Sequence, residues 1–148
     1  TAIVEKYITK FSPKLEAVVF LTPSPVIKRL QKAFLVNFHN IMRSKSCFYF
    51  SNRLDESVES VYLDKFTDES RKIELLMIRK KVPVGYEWNY KTLVMGALND
   101  NCMPTSVLLD TAKIFKAKLI IYQEHCHDMM LDPAWEIVAE DILGFILV

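Results

Sequence analysis

Residues 91–123, KTLVMGALNDNCMPTSVLLDTAKIFKAKLIIYQ, decide the fold class of this chain. The two ends of this stretch, 91–97 and 118–123, are short apolar runs of the kind that forms buried parallel strands. Between them, Pro104 stands where the first turn of a helix tolerates proline. One apolar stripe follows at helical spacing and contains Val107, Leu108, Ala112 and Phe115. Strand, helix and strand in this order predict a right-handed βαβ unit, and therefore an α/β fold with a parallel sheet.

The same kind of pattern continues on both sides of this unit. Residues 16–22 form a third apolar run closed by prolines, and residues 1–11 carry apolar side chains at helical spacing. Near the other end, Asp132 can cap a helix that Pro133 begins. The predicted buried face of that last helix consists of Trp135, Val138, Ala139, Ile142 and Ile146.

Residues 26–82 interrupt the alternation with helical patterns. The spacing predicts three or four helices, at about 26–43, 46–51, 55–65 and 67–80, of which 46–51 is either a short helix or extended. Seven of the 17 aromatic residues lie between Phe34 and Phe66. A long aromatic insertion between two parallel strands is typical of a cap over a pocket. A helical layer that packs its aromatics into its own core remains the alternative. The cap interpretation divides the chain into a partial core, 1–25 and 83–148, and a cap, 26–82.

The composition excludes several classes of protein. Of the 148 residues, 51% are hydrophobic and 25% charged, which excludes intrinsic disorder, and 19 basic against 18 acidic residues exclude a nucleic-acid-binding polycation. No apolar run is long enough for a membrane span. The three cysteines form neither a disulfide framework nor a CxxC zinc knuckle. We therefore expect an intracellular reducing compartment, cytoplasm or organelle.

The start of the chain predicts a missing partner for the sheet. Residue 1 is Thr, and the helical spacing begins at once with no capping residue before it. Three buried parallel strands alone would also leave apolar sheet edges with unpaired backbone groups. We therefore expect an N-terminal half, or another protein chain, to complete the sheet.

Titratable residues follow two of the predicted strands. Asp100 comes shortly after the run at 91–97, and the sequence Glu-His-Cys-His-Asp, residues 124–128, follows the run at 118–123. Ligands bind at the carboxyl ends of parallel strands, where an acid from one loop and a histidine from the next can meet. An aspartate that accepts the Nδ1 proton of a histidine fixes the ring and stabilises its charged form. Loop capping and solvation are the alternative roles for these residues.

Three other chemistries fit these residues less well. Thr1 could be an N-terminal nucleophile, but it begins a helical pattern rather than a strand. Cys102 could be a thiol nucleophile, but it lies in the loop of the acid, where an inert cysteine is expected. His125 and His127 could share a metal ion with Glu124 or Asp128. Successive residues on an extended segment point in opposite directions, so at most two of these four side chains converge, which is few for a zinc site.

Two segments resemble a known family. Residues 127–139, HDMMLDPAWEIVA, resemble the C-terminal catalytic-histidine segment of α/β-hydrolase fold proteins, and residues 93–100, LVMGALND, resemble their strand and turn bearing the catalytic acid. Residues 1–25 are similar to the helix after the nucleophile elbow and the strand that follows it. The resemblance implies the C-terminal half of an α/β hydrolase, with His127 as general base, Asp100 as its orienting acid and residues 26–82 as cap. It implies neither a cofactor nor a metal.

The chain departs from that family at the nucleophile. The family carries its serine in Gly-x-Ser-x-Gly, whereas Gly85, Gly96 and Gly144 are the only glycines here and none flanks a serine. The elbow is expected just before Thr1. Cys126 also replaces the glycine that usually precedes the histidine.

Two functions therefore stand side by side. The first is the C-terminal part of an esterase-like or lipase-like serine hydrolase, whose nucleophile comes from a missing N-terminal half. It would act on an ester-type bond of a small hydrophobic substrate. The second is a catalytically inactive hydrolase-like subunit with a structural role in a larger assembly. Aromatic candidates for lining the substrate pocket are Phe34, Phe38, Phe48 and Tyr49.

Overall fold

A computed structural model describes residues 2–24, 49–66 and 88–148 of the chain. Within these ranges the polypeptide forms three strands, four α-helices and one turn of 3-10 helix. In chain order they are α1 (Ala2–Phe11), β1 (Val18–Leu21), α2 (Glu56–Leu63), β2 (Thr92–Ala97), α3 (Thr105–Phe115), β3 (Lys118–Tyr122), the 3-10 turn (Met129–Leu131) and α4 (Trp135–Leu147).

The three strands form one parallel sheet in the order β1-β2-β3. Val94 of β2 lies opposite Phe20 on one side and opposite Leu119 on the other. Every residue of β2 is buried, as expected of a central parallel strand. The α/β fold class predicted from the sequence is confirmed, and each strand lies inside its predicted apolar run.

Side chains of β2 alternate between two cores, one on each face of the sheet. Val94 belongs to a cluster with α1 and α3, whereas Leu93 and Met95 belong to a cluster with the 3-10 turn and α4. The first cluster contains Ile8, Val18, Phe20, Val94, Leu108, Ala112 and Phe115. The second contains Leu93, Met95, Ala97, Met129 and Val138. The sheet is therefore covered by helices on both faces, as in other α/β layers.

The helix between β2 and β3 has the buried stripe that its spacing predicts. Val107, Leu108, Ala112 and Phe115 are all buried. Pro104 is the N-cap residue, one position earlier than the first-turn place predicted for it. Because α3 connects two adjacent parallel strands, the loops after β2 and β3 emerge at the same edge of the sheet.

The last helix differs from its prediction in start and in burial. It begins at Trp135, because Asp132 Oδ1 accepts the Ala134 N–H (2.9 Å) and stabilises a turn before the helix. Val138 is its one fully buried residue within the described chain, and Ile142 is half-buried. The predicted burial of Trp135, Ala139 and Ile146 is wrong, because α4 touches the sheet along one narrow side.

The edges of the described sheet are less buried than predicted. The strand β3 is half-buried rather than buried, since it pairs on one side only among the described residues. In α1, Val4, Tyr7 and Phe11 form an exposed apolar stripe. Within the described ranges, none of the helices combines the length and apolar character that crossing a bilayer requires.

One helix of the predicted cap lies in the described part of the chain. The helix α2 falls within the predicted range 55–65 and begins after Asp55, whose side chain accepts the Ser57 N–H. The predicted helices at 26–43 and 67–80, and residues 46–48 of the predicted segment 46–51, lie outside the described residues.

Candidate active site

The loop after β2 holds a buried carboxylate in a fixed orientation. Asp100 follows the strand by three residues, and its Oδ1 accepts the backbone N–H groups of Cys102 and Met103, each at 2.7 Å. These two bonds occupy one carboxylate oxygen with donors from its own loop. The other oxygen, Oδ2, is consequently directed away from the loop.

The loop after β3 brings His127 to that free oxygen. His127 Nδ1 lies 2.9 Å from Asp100 Oδ2, and the side chains are 16% and 0% exposed respectively. With Nδ1 bonded to the carboxylate, the imidazole is oriented and its Nε2 is the nitrogen available for proton transfer. The two residues singled out from the sequence therefore lie in direct contact.

The charges around His127 stabilise its protonated form. Burial of the ring works against the charge, but hydrogen bonding and charge from Asp100 and Cys102 outweigh it and raise the pKa of His127 to about 10. The neighbouring Asp128 is also perturbed. Burial raises the pKa of its carboxyl, an effect that the charge of His127 partly offsets.

Aromatic rings lie on one side of the pair. The ring centroid of Tyr49 is 5.9 Å from that of His127, and Phe66 meets Tyr49 edge-on at 5.1 Å. Phe50 contacts both Tyr49 and Phe66. Of the predicted pocket aromatics, Tyr49 is thus beside His127, whereas Phe34, Phe38 and Phe48 lie outside the described residues. Phe50 and Phe66 belong to the same aromatic-rich segment but were not predicted to be near the site.

Comparisons with known proteins identify the fold that carries this geometry. No protein-family model matches the sequence, and no curated protein matches it. Among solved structures, an esterase from Exiguobacterium antarcticum superposes with a TM-score of 0.74 at 14% identity, covering 99% of this chain. An alpha/beta hydrolase fold protein from Chitinophaga pinensis superposes with a TM-score of 0.60 at 16% identity, covering 94% of it. This chain has an α/β-hydrolase fold. It spans 63% and 59% of the length of these two proteins.

The other sequence-based candidates occupy different places in this α/β-hydrolase fold. His125 is buried, and its Nε2 lies 3.3 Å from the Ala134 carbonyl oxygen, so His125 and His127 have separate partners. Thr1 lies outside the described residues.

Cys102 lies closer to the pair than its place in the acid loop suggested. Among the described residues, its sulfur, an Asp100 oxygen and a His127 nitrogen all lie within 4.8 Å of one another. Thiolate, imidazole and carboxylate are all ligands of zinc. A metal ion bound through Nδ1 would have to displace the proton between His127 and Asp100.

One contact to the histidine loop of this α/β-hydrolase fold was not predicted from the sequence. Arg53 binds Glu124 (2.9 Å) and Asp132 (2.6 Å), one on each side of His127 in the chain. These partners are 71 and 79 residues away from Arg53. No local spacing rule links residues so far apart, which is why the sequence carried no signal for them.

Proposed function

We propose that this chain is the C-terminal part of a serine hydrolase that acts on an ester-type bond of a small hydrophobic substrate. In this proposal the serine nucleophile belongs to an N-terminal half. The observation that carries the proposal is the 2.9 Å contact between Asp100 Oδ2 and His127 Nδ1, made by a carboxylate that its own loop holds in place. This is the arrangement of a general base and its orienting acid.

The chemistry follows from that arrangement. His127 Nε2 would accept the proton of the serine hydroxyl as the serine oxygen attacks the ester carbonyl. Asp100 would stabilise the resulting imidazolium through Nδ1. His127 would then give the proton to the departing alcohol, leaving an acyl-serine, and the same steps with water would release the acid and restore the serine.

The raised pKa of His127 determines the protonation state of the ring in this chain without an N-terminal half. A histidine with a pKa of about 10 is protonated at neutral pH, whereas a general base must be neutral. An N-terminal half that covers the remaining exposed part of the ring would lower this pKa, because burial disfavours the charged form. In the proposed hydrolase, assembly with an N-terminal half would therefore shift His127 toward the neutral form that a general base requires.

The proposed substrate class rests on the surroundings of the base. Tyr49 lies against His127 and Phe66 meets Tyr49 edge-on, while the buried Phe50 packs against both rings. Such a surface suits an apolar acyl group or another small hydrophobic moiety. We include residues 26–82 as the cap over this pocket, with Phe34, Phe38 and Phe48 as further lining candidates.

The proposed N-terminal half rests on the open side of the core. The strand β1 is an edge of the described sheet, and the α1 stripe of Val4, Tyr7 and Phe11 is exposed. A polypeptide that supplies the nucleophile strand would extend the sheet beyond β1 and cover this stripe. The chain's coverage of about 60% of the two solved hydrolase-fold structures is compatible with such a half.

The decisive experiment labels the native assembly with a fluorophosphonate probe and then sequences every polypeptide under denaturing conditions. We expect the probe on the serine of a Gly-x-Ser-x-Gly segment, in a polypeptide that precedes α1 or is bound to this chain. The His127→Gln variant should slow labelling by about 10²–10⁴-fold, the range over which general base catalysis contributes.

A matched control separates loss of the base from a general loss of charge. Lys113→Met removes one exposed charge from the end of α3, and its labelling rate should equal that of the unmodified chain. An assembly that contains no such serine, or one whose serine reacts equally fast in His127→Gln, would contradict the proposal. Either result would favour the inactive structural subunit.

A further inference from the structure

The guanidinium of Arg53 joins both ends of the loop that carries His127. Nη1 lies 2.9 Å from Glu124 Oε2, and Nη2 lies 2.6 Å from Asp132 Oδ1. Glu124 precedes His127 by three residues and Asp132 follows it by five. One planar side chain therefore closes the segment 124–132, which we call the histidine loop.

The two ends of this bridge are unequal. The Glu124 side chain is 76% exposed, so its bond to Arg53 competes with water, whereas the Asp132 side chain is 2% exposed. Burial alone would raise the pKa of this buried carboxyl, but the Ala134 N–H and the Arg53 guanidinium hold it below its ordinary value. Asp132 is therefore ionised, and it needs the cation because an unpaired buried charge is strongly destabilising.

A second contact ties the same segment to the histidine loop. The backbone N–H of Asp128 donates to the carbonyl oxygen of Tyr49 at 2.9 Å, and the Tyr49 ring packs against His127. Residues 49–53 thus touch the histidine loop before, at and after His127. These contacts come from the segment preceding α2 and not from the sheet.

We propose that Arg53 is a positioning residue for His127: its bridge between Glu124 and Asp132 holds the histidine loop so that Nδ1 stays aligned with Asp100. The proposal rests on the proposed function in taking His127 as the base. An arginine is suited to this task because its rigid fork bonds two carboxylates at once, which a lysine ammonium cannot reproduce with the same geometry.

This arrangement makes the alignment of the base depend on the segment 49–53.

The test follows the His127 Nδ1 proton by NMR in the full chain, with Arg53→Met as the main variant. Loosening the histidine loop should speed exchange of that proton with water by about tenfold or more, because local opening becomes easier. The pKa of His127 should fall at the same time, since the Asp100 hydrogen bond is made for a smaller part of the time. Arg53→Lys keeps the charge but not the fork and should restore the exchange rate only in part.

Two further variants define the outcome. Glu124→Ala removes the exposed arm of the bridge and should speed exchange less than Arg53→Met does, because the buried Asp132 arm remains. Lys113→Met controls for loss of a surface charge. If Arg53→Met and Arg53→Lys alter stability but leave exchange and pKa of His127 unchanged in the folded protein, Arg53 has only a structural role and the proposal is wrong. If Arg53→Met does not fold, an unchanged His127 in Arg53→Lys is enough to reject the positioning role.

This experiment is independent of the hydrolase assay. The Nδ1 proton belongs to this chain alone and requires no nucleophile. Failure of serine labelling would therefore reject the proposed function, but the NMR result on the positioning role of Arg53 would remain valid. An unaltered His127 in the Arg53 variants would reject the positioning role even where labelling succeeds.

Discussion

We expect Asp100→Asn to lower the pKa of His127 from about 10 toward the value of about 6.5 that is ordinary for histidine. Burial of the ring already disfavours its charge, so the raised pKa depends on the hydrogen bond and charge of Asp100, with Cys102 contributing as well. The amide oxygen of the variant can still accept the N–H groups of Cys102 and Met103, which keeps the loop in place. Nitrogen-detected NMR titration, from about pH 5 to about pH 11, measures the change directly.

The same substitution should change how the stability of the chain depends on pH. A group whose pKa is higher in the folded than in the unfolded state adds stability that is complete below its unfolded pKa, here about 6.5. That stability is lost as the pH rises through the folded value of about 10. The free energy of unfolding should therefore fall by roughly 1.4 kcal/mol per pH unit across this window in the unmodified chain.

Urea denaturation of both proteins at several pH values isolates this contribution. For each protein, the free energy of unfolding is plotted against pH. Subtracting the values of Asp100→Asn from those of the unmodified chain cancels the contributions of the titrating groups that the two proteins share. The difference should be largest at about pH 6, just below the unfolded pKa, and shrink as the pH rises toward 10. A difference that stays constant over this range would mean that Asp100 does not hold a proton on His127 in solution.

We expect Gly96→Ala to destabilise the fold by about 1–3 kcal/mol, the usual cost of overpacking a core. Gly96 lies on the face of β2 that α3 covers, and an added Cβ would lie 2.6 Å from Leu108 Cδ2 and closer still to Cδ1. Leu108 is fully buried, so its side chain, or α3 with it, would have to shift to make room. Because α3 is joined to β2 through the Asp100 loop, a shift of α3 would also weaken the contact with His127.

The chain offers a matched control for this substitution. At Gly144 in α4, an added Cβ would meet nothing within 4 Å, so Gly144→Ala should stabilise the helix by up to about 1 kcal/mol. The same chemical change thus has opposite signs at the two positions. Urea midpoints measure both effects, and a Gly96→Ala protein as stable as Gly144→Ala would show that α3 does not pack closely on β2.

The sequence predicts the α/β core well because short-range patterns determine it. The run 91–97 is apolar on both strand faces, and the stripe from Val107 to Phe115 has helical spacing, so their burial follows from local composition. The run 118–123 predicts the strand β3 but not that it is only half-buried. Asp100 and His127 could be proposed from topology, since the loops of adjacent parallel strands meet at one edge.

Other features depend on contacts that no local pattern records. Trp135 and Ile146 are exposed because α4 covers only a small part of the sheet. Their hydrophobic character alone does not show whether another element packs against them. The Arg53 bridge depends on a segment folding back onto the histidine loop. A lone arginine in a polar turn gives no indication of such partners.

The separations along the chain also set an order of assembly. Asp100 and His127 are 27 residues apart, whereas Arg53 and Asp132 are 79 apart. Closing the longer loop costs about 1 kcal/mol more chain entropy, and contacts of short separation form faster. During folding, the acid and the histidine should therefore meet while β2, α3 and β3 condense, with the Arg53 bridge closing afterwards. An unfolding fluctuation would run in the reverse order, releasing the bridge first and the acid–histidine contact last.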